Sequence, residues 1–370
     1  TNLLIDPQDR QPGMPSFTGD LANLEQWLTQ NSAVGFLKHE YRVADWVPPE
    51  YFKQVKDTVD AMSSRFSGDL AFITCNGWNI LVNAVANKSL CSTSPDLSDI
   101  KVDGDSVIIC GGGPSLLNDL ETIKKYQDKT IIISTDSAAP VLKKHGIQPN
   151  MITAIEPAPA KEQLDYPESI LVHDFNCHYG TVERFPIRIP TSFSGDFKHQ
   201  IWKALGFTGE IRTGQSVSAY SVALAQYFGI KKIFLTGVEL CWKDKIHAGE
   251  TLWTPHNTTQ TKNHLGEDVK TLHSFISTAK EIASYAPGAR IYQCSVGSIE
   301  VPGADYIPMD QAPIGDSRIT YFIATHCRTV PASFYSIPIN VHQALLGVRN
   351  DIARGKFRMW RFKEYYDIEQ

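Results

Sequence analysis

The sequence predicts an α/β protein built on a Rossmann-like, mostly parallel sheet with helices on both faces. Two observations carry this prediction. A strand, a glycine-rich turn and a helix follow one another at residues 107–126, and short apolar segments then alternate with helical segments as far as residue 294. We expect an N-terminal accessory region at residues 1–100, the core domain at 101–310 and a helical C-terminal tail at 311–370.

The N-terminal accessory region contains two predicted helices, at residues 51–66 and 78–86. Apolar residues recur at helical spacing in the first of them. Asn76 and Gly77 favour a turn between the two helices. Residues 92–105 are polar and contain a proline and a glycine, so we expect a linker into the core.

The glycine-rich turn opens the core. Residues 107–110 are apolar and predict a buried strand, three glycines follow, and a helix can begin at the next residue. Glycine lets a backbone approach a phosphate closely, and the N–H groups of a helix N-terminus attract anions. We therefore expect a nucleotide phosphate here, bound by Gly111, Gly112, Gly113, Pro114 and Ser115. The motif is not a complete dinucleotide fingerprint, because Leu116 replaces the third glycine.

The remaining core elements alternate between strands and helices. The helix at 216–228 is typical, because Val217, Tyr220 and Leu224 share one face and Gly229 supplies a stop. Further strands are predicted at 130–134, 151–155, 170–173, 232–236 and 290–294, and further helices at 114–126, 138–145 and 274–285.

Composition limits the class of protein. The chain has 370 residues, of which 42% are hydrophobic and 20% charged, as in globular proteins with a substantial core. The net charge of −5 argues against a nucleic-acid-binding protein. Seven scattered cysteines without a C-x-x-C pair favour reduced thiols in the cytoplasm. The first residues lack a signal-peptide pattern and no segment reaches the length of a membrane span, so we expect a soluble cytoplasmic protein.

The tail at 341–370 mixes basic and aromatic residues, including Arg358, Trp360 and Arg361. Such a mixture suits a helix that packs its aromatic side chains on the body of the protein. It also suits peripheral contact with an anionic membrane surface.

Acidic residues follow three of the predicted strands. Asp136, Glu156 and Glu239 stand at carboxyl ends, where open α/β sheets bind their ligands. We expect them to hold ribose or sugar hydroxyls, the alternative being solvated loop residues. A second anion site, or a simple helix cap, is predicted where the helix at 216–228 begins. It comprises Thr213, Gly214, Gln215 and Ser216.

Histidines are dense in and beyond the long polar segment at 242–266, which we interpret as a lid or binding loop. They are His247, His256, His264 and His273. A histidine in such a loop can act as a general base near neutral pH. The spacings match no common zinc motif, so we expect no metal site.

The core carries five short motifs in a fixed order, I-I-C-G-G-G-P-S-L at 108–116, S-T-D-S-A at 134–138, T-G-Q-S-V at 213–217, F-L-T-G-V-E-L at 234–240 and K-I-H-A-G-E at 245–250. Together they resemble the motility accessory factor family and the archaeal hydroxymethylpterin pyrophosphokinase-like proteins that share its core. The likeness covers about residues 75–310.

The core also resembles bacterial sialyltransferases that use cytidine monophosphate (CMP)-sialic acid. Gly112 departs from their pattern, which has an asparagine that contacts the sugar nucleotide. Their base histidine corresponds loosely to His264, and His247 in the H-A-G segment competes with it. The resemblance implies transfer of a nonulosonic or sialic-type acid from a CMP-activated donor to a hydroxyl acceptor, such as a protein serine or threonine or a glycan. It implies no tightly bound cofactor.

Two alternatives stay open. The first is an ATP- and Mg²⁺-dependent hydroxymethylpterin pyrophosphokinase-like diphosphotransferase, with Asp136, Glu156 and Glu239 as metal ligands. The second is a nucleotide-binding protein without catalytic activity, whose basic aromatic tail contacts a partner.

Overall fold

The computed structural model describes residues 3–5, 17–19, 24, 48–91, 93–159, 164–193, 209–213, 216–249 and 258–321, with the backbone alone at 3–5, 17–19, 60–71, 73–75 and 321. The chain divides into two compact units, Thr1–Trp78 with Tyr335–Gln370, and Asn79–Phe334. The segment boundaries at residues 100 and 310 stay predictions. The helical tail lies outside the described residues.

Strands β1 (Leu3–Ile5) and β2 (Phe17–Gly19) of the first unit form an antiparallel pair. Helix α1 (Pro49–Leu90) follows them in the chain. The predicted turn at Asn76 and Gly77 is therefore wrong, because one continuous helix replaces the two that were expected. A glycine within a helix costs only about 1 kcal/mol, and Asn76 Nδ2 donates to the carbonyl oxygen of Phe72 at 3.2 Å.

A nine-stranded sheet forms the centre of the second unit, and every neighbouring pair in it is parallel. The predicted α/β class with a Rossmann-like sheet is confirmed. The strands are β4 (Ser106–Cys110), β5 (Ile131–Thr135), β6 (Met151–Ala154), β7 (Ile170–Asp174), β8 (Ile187–Phe193), β9 (Glu210–Ile211), β10 (Lys232–Thr236), β13 (Arg290–Gln293) and β14 (Asp305–Tyr306).

The strand order is β14-β13-β10-β4-β5-β6-β7-β8-β9. From β4 the chain moves outward in one direction as far as β9. It then returns to the other side of β4 and continues from β10 to β14. The direction of winding therefore reverses between β4 and β10. In open α/β sheets ligands bind at such a reversal, outside the carboxyl ends of the strands.

Helices cover both faces of this sheet. Helices α2 (Leu116–Tyr126) and α3 (Ala139–Lys144) pack against one face, where Ile108 and Ile132 lie. Helices α5 (Val217–Tyr227) and α6 (His273–Tyr285) pack against the other face, where Ile109 and Ile133 lie. Side chains alternate between faces along a strand, and here both faces are buried, which explains the uninterrupted apolar runs of β4 and β5. A short helix α4 (Tyr179–Val182) follows β7.

Two segments that were expected to be connections contain strands that were not predicted, and the role of the second as a lid or binding loop stays a prediction. The expected linker at 92–105 contains strand β3 (Ile100–Gly104), which pairs with β15 (Ser317–Tyr321) outside the main sheet. The expected lid contains β11 (Thr259–Lys262), which forms a hairpin with β12 (Asp268–Thr271). These strands are short and mostly polar, so they give no apolar run in the sequence. Across the described part of the chain, no helix combines the length and apolarity needed to cross a membrane.

Candidate functional site

The glycine turn after β4 packs against the turn after β10, at the point where the winding reverses. The Gly111 N–H donates to the Thr236 carbonyl at 2.8 Å, and the Gly113 N–H donates to the Gly237 carbonyl at 2.8 Å. A Cβ atom added to Gly111 would lie 2.3 Å from the Gly237 oxygen. Glycine is therefore required here because two backbones approach closely.

The carboxylate of Glu239 fills the remaining space of the turn. Its Oε1 accepts the Ser115 N–H at 2.5 Å, and a Cβ atom added to Gly113 would lie 1.6 Å from its Oε2. The amides of Gly111, Gly113 and Ser115 were expected to face a phosphate, and in this conformation all three donate to the protein itself. Among the described residues, the Gly112 N–H has no acceptor.

Burial raises the pKa of Glu239, against hydrogen bonds from Ser115 that lower it. The nearby carboxyl of Asp119 raises it further. Asp119 Oδ2 accepts the Thr236 hydroxyl at 2.6 Å, and burial raises the pKa of Asp119 too. Two carboxyl groups thus lie beside the N-terminus of α2.

The backbone that carries Glu239 is held by its neighbours. The Val238 N–H donates to Ser295 Oγ at 2.9 Å, and the Glu239 carbonyl accepts the Ile299 N–H at 2.9 Å. The Leu240 carbonyl accepts the Thr271 hydroxyl at 2.7 Å. Leu240 has a φ of 56°, in the left-handed region that costs a non-glycine residue about 1–2 kcal/mol.

Asp136 and Glu156 follow adjacent strands, β5 and β6, and lie close enough for their charges to interact. Burial raises the pKa of Asp136 to about 6, and the carboxylate of Glu156 contributes to the shift. Asp136 Oδ1 accepts the Ser137 N–H at 2.8 Å, and this hydrogen bond lowers the pKa, against the effect of burial. Burial also raises the pKa of Glu156. A carboxyl group with a pKa near 6 can exchange a proton at neutral pH.

Thr213 and Ser216 are the two members of the predicted second anion site that the structure describes. The Thr213 side chain is buried, and its Oγ1 has no hydrogen-bond partner among the described residues. Ser216 is the N-cap residue of α5 but makes no side-chain cap bond. Gly214 and Gln215 lie outside the described residues. The simple capping role considered for Ser216 is thus absent in this conformation.

His247 lies against the glycine turn. Its Nδ1 is 3.3 Å from the Gly112 carbonyl oxygen, and the next residue, Ala248, donates its N–H to the same oxygen at 2.8 Å. Ser137, which follows β5, also lies against the glycine turn. A Cβ atom added to Gly112 would lie 2.6 Å from Ser137 Oγ. The structure therefore brings the glycine turn, the end of β5 and His247 together.

His264 stands at the tip of the β11–β12 hairpin. Its N–H and its Nδ1 both reach the Ser298 carbonyl oxygen, at 2.9 and 3.1 Å, and its ring stacks on that of Tyr306. Donation from Nδ1–H to a carbonyl leaves Nε2 as the proton acceptor of the neutral ring. The residue after Ser298 is Ile299, which donates to the Glu239 carbonyl. His256 lies outside the described residues, and His273 begins α6.

Sequence reasoning missed two asparagines on the last turns of α1. Asn83 Nδ2 donates to the carbonyls of Pro157 and Asn176, and Asn87 Nδ2 donates to those of Phe175 and Cys177. These bonds hold the segments that follow β6 and β7. The i, i+4 spacing placed both asparagines on one helix face, but nothing in the sequence showed what that face contacts.

His178 was also missed. It follows β7, and its N–H donates to the Glu156 carbonyl at 3.0 Å. Its ring stacks on that of Tyr179, with centroids 5.0 Å apart. Burial lowers the pKa of His178, so the neutral ring predominates at neutral pH. A stacked, neutral histidine is thus joined through its backbone to Glu156.

Comparison with known proteins agrees with the motifs found in the sequence. Residues 79–245 match the family model described as 6-hydroxymethylpterin diphosphokinase MptE-like. The resemblance is confirmed for this segment. The structure is similar to that of the MAf glycosyltransferase from Magnetospirillum magneticum AMB-1, with a TM-score of 0.57 and 16% identity over 95% of this chain and 54% of that chain. The two share a fold, and the present chain spans about half of that protein's length.

Two sialyltransferases from Campylobacter jejuni show weaker similarity. The monofunctional α-2,3-sialyltransferase Cst-I has a TM-score of 0.34 and 15% identity, over 67% of this chain and 95% of that chain. CstII has a TM-score of 0.28 and 16% identity, over 59% of this chain and 90% of that chain. Among curated proteins, none matches this chain.

Proposed function

We propose that this chain is a glycosyltransferase that transfers a nonulosonic or sialic-type acid from a CMP-activated donor to a hydroxyl group of a protein or glycan. The observation that carries the proposal is the position of the glycine turn. It lies at the winding reversal of an all-parallel sheet, with His247 in contact and the acids Asp136 and Glu156 on the next two strands. The fold shared with the MAf glycosyltransferase supports it.

The donor phosphate would lie in the glycine turn, at the N–H groups of Gly112 and Ser115, after the Glu239 carboxylate has left Ser115. It would also face the start of α5, where the Thr213 hydroxyl is without a partner among the described residues. Asp136 and Glu156 would accept hydrogen bonds from ribose or sugar hydroxyls. Glu239 would join them once its carboxylate leaves Ser115. No tightly bound cofactor is required by this arrangement.

His264 would act as the general base, because its Nδ1 is directed at the Ser298 carbonyl and its Nε2 can take a proton. The acceptor hydroxyl gives its proton to Nε2, and its oxygen forms a bond to the anomeric carbon of the sugar. The bond between that carbon and the phosphate oxygen breaks, and CMP leaves with the electron pair. His247 and the N–H groups around it would stabilise the charge on the leaving phosphate.

Thermal shift and transfer assays test this function. We expect CMP at millimolar concentration to raise the melting temperature, and a CMP-activated nonulosonic acid to be consumed in the presence of an acceptor. A protein that ATP with Mg²⁺ stabilises and CMP leaves unchanged would contradict the proposal. CMP binding without turnover in both the wild type and His264→Ala would identify a purely binding role.

The family match at residues 79–245 favours one second candidate, an ATP-dependent diphosphotransferase. Asp136 and Glu156 could supply carboxylates to Mg²⁺, which commonly takes only one or two from the protein. Within the described residues, however, no three His, Cys, Asp or Glu side chains cluster in a way that could hold a metal ion. ATP–Mg²⁺ in the same thermal shift experiment distinguishes the two candidates.

A further inference from the structure

Glu239 occupies the position that a phosphate oxygen would take in the glycine turn. Its Oε1 accepts the N–H of Ser115, the residue that precedes α2, and its Oε2 lies against Gly113. A carboxylate oxygen and a phosphate oxygen make the same kind of charge-assisted hydrogen bond to such an N–H group. The protein's own side chain therefore stands in for an anionic ligand.

A bound phosphate cannot share this position with the Glu239 carboxylate. The free space beside Gly113 is filled by Oε2, and Asp119 adds a second carboxyl group nearby. Two negative groups a few ångströms apart repel strongly where water is largely excluded. Glu239 must therefore leave the turn before a phosphate enters it.

The structure confines that movement to the side chain. Hydrogen bonds fix the backbone on both sides of Glu239: the Val238 N–H donates to Ser295 Oγ, and Ile299 and Thr271 donate to the carbonyls of Glu239 and Leu240. The strained φ of Leu240 is held by the same contacts. A rotation about the side-chain torsions of Glu239 would release the Ser115 N–H without moving the turn.

We infer that Glu239 is an internal competitor for the phosphate site, so that a phosphate-bearing ligand binds the glycine turn only by displacing its carboxylate from Ser115. The inference rests on the proposed function for the identity of the ligand, a nucleoside monophosphate. The anion site at the glycine turn does not depend on the proposed function. Inorganic phosphate is therefore expected to compete with Glu239 as well.

Binding of CMP and of inorganic phosphate, measured by calorimetry, tests the inference. Glu239→Gln removes the charge but keeps an acceptor for Ser115. Glu239→Asp keeps the charge but shortens the side chain, so that its carboxylate no longer reaches the Ser115 N–H. We expect both variants to bind inorganic phosphate more tightly than the wild type, by about tenfold for the glutamine variant.

Asp119→Asn is the matched control, because it removes a nearby carboxyl group whose hydrogen bond is to the Thr236 hydroxyl and not to the Ser115 N–H. An increase in affinity as large as that of Glu239→Gln would show a general charge effect and overturn the inference. Unchanged or weaker phosphate binding by both Glu239 variants would also overturn it. Tighter binding of inorganic phosphate, with no CMP binding by any variant, would uphold it and reject the proposed function.

A structure of the wild-type protein with phosphate gives an independent test. We expect the phosphate to accept the Ser115 N–H and the Glu239 side chain to adopt another rotamer. A phosphate bound elsewhere, with Glu239 still bonded to Ser115, would contradict the displacement.

Discussion

The ring of His264 stacks on the ring of Tyr306, with centroids 4.2 Å apart and planes inclined by 22°. The Tyr306 hydroxyl accepts the Val301 N–H at 2.7 Å, and burial raises the pKa of Tyr306. The tyrosine ring is therefore anchored at its far end. Together with the Ser298 carbonyl, it fixes the orientation of the histidine ring, which a general base requires before substrate arrives.

Replacing Tyr306 tests its role as a positioning residue. We expect Tyr306→Leu to lower kcat by about tenfold with little change in the KM for the donor, because only the orientation of His264 is lost. Tyr306→Phe is the matched control, because it keeps the ring that stacks on His264 and loses only the hydroxyl anchor, so we expect a smaller loss of kcat than in Tyr306→Leu. Steady-state kinetics of the three proteins measure this. An equal loss in both variants would contradict a role through stacking.

Replacing His264 should affect turnover, and replacing His247 should affect CMP binding. His264→Ala should lower turnover by about 10²–10⁴-fold and leave CMP affinity unchanged, since it removes the base alone. His247→Ala should weaken CMP binding, because His247 contacts the glycine turn through the Gly112 carbonyl. Single-turnover kinetics and calorimetry separate the two effects. Loss of turnover in His247→Ala, with weaker CMP binding in His264→Ala, would make His247 the general base.

Alanine substitutions at Gly111 and Gly229 should lower the free energy of unfolding by different amounts. A Cβ atom at Gly111 would collide with the Gly237 backbone, so we expect Gly111→Ala to lower the free energy of unfolding by about 3 kcal/mol. Gly229 has a φ of 75° and no atom within 4 Å of an added Cβ, so Gly229→Ala should cost about 1 kcal/mol. Urea denaturation measures both. A smaller loss at Gly111 than at Gly229 would refute the close approach of the two turns.

Asp136 should make stability depend on pH. Its pKa rises to about 6 in the folded protein from an unfolded value near 3.9, so its ionisation disfavours the folded state. The stabilisation from the protonated form is complete below about pH 4 and is lost as pH rises to about 6. Asp136→Asn, which can still accept the Ser137 N–H, should be more stable than the wild type by about 2 kcal/mol at pH 8.

Both proteins should show equal stability near pH 4. Urea denaturation at pH 4 and pH 8 gives the two differences. A gain that is the same at both pH values would arise from something other than the titration of Asp136.

Strands buried on both faces could be predicted from the sequence because they appear as continuous apolar runs. The strand at 232–236 matches β10 residue for residue, and β4 differs by one residue. Strands with solvated faces carry no such signal, which is why β3 and the β11–β12 hairpin were missed.

Contacts within the site were less predictable than the elements. The carboxyl of Glu239 meets the amide of Ser115 across 124 positions of sequence, and it does so because β10 returns to lie beside β4. Strand order is not encoded in local pattern. The sequence therefore showed acids at strand ends but not that one of them occupies the glycine turn, nor that Tyr306 supports His264.

Asn83 gives a last prediction, on how α1 supports the site. Its side chain is 2% exposed and donates to the Pro157 and Asn176 carbonyls, while its Oδ1 accepts the Tyr179 N–H at 3.3 Å. Asn83→Ala leaves these groups unpaired, so we expect a loss of about 2–4 kcal/mol in the free energy of unfolding. Asn118→Ala, at an exposed position of α2, should change it by less than about 0.5 kcal/mol.

Hydrogen exchange gives the local measurement for this pair of variants. The amides of Cys177 and His178 donate to the Asp174 and Glu156 carbonyls, within the segments that Asn83 holds. They should exchange faster in Asn83→Ala than in Asn118→Ala, because the segments open locally before the whole unit unfolds. If both amides keep their wild-type protection in Asn83→Ala, the asparagine contributes to global stability without fixing the segment that carries Glu156.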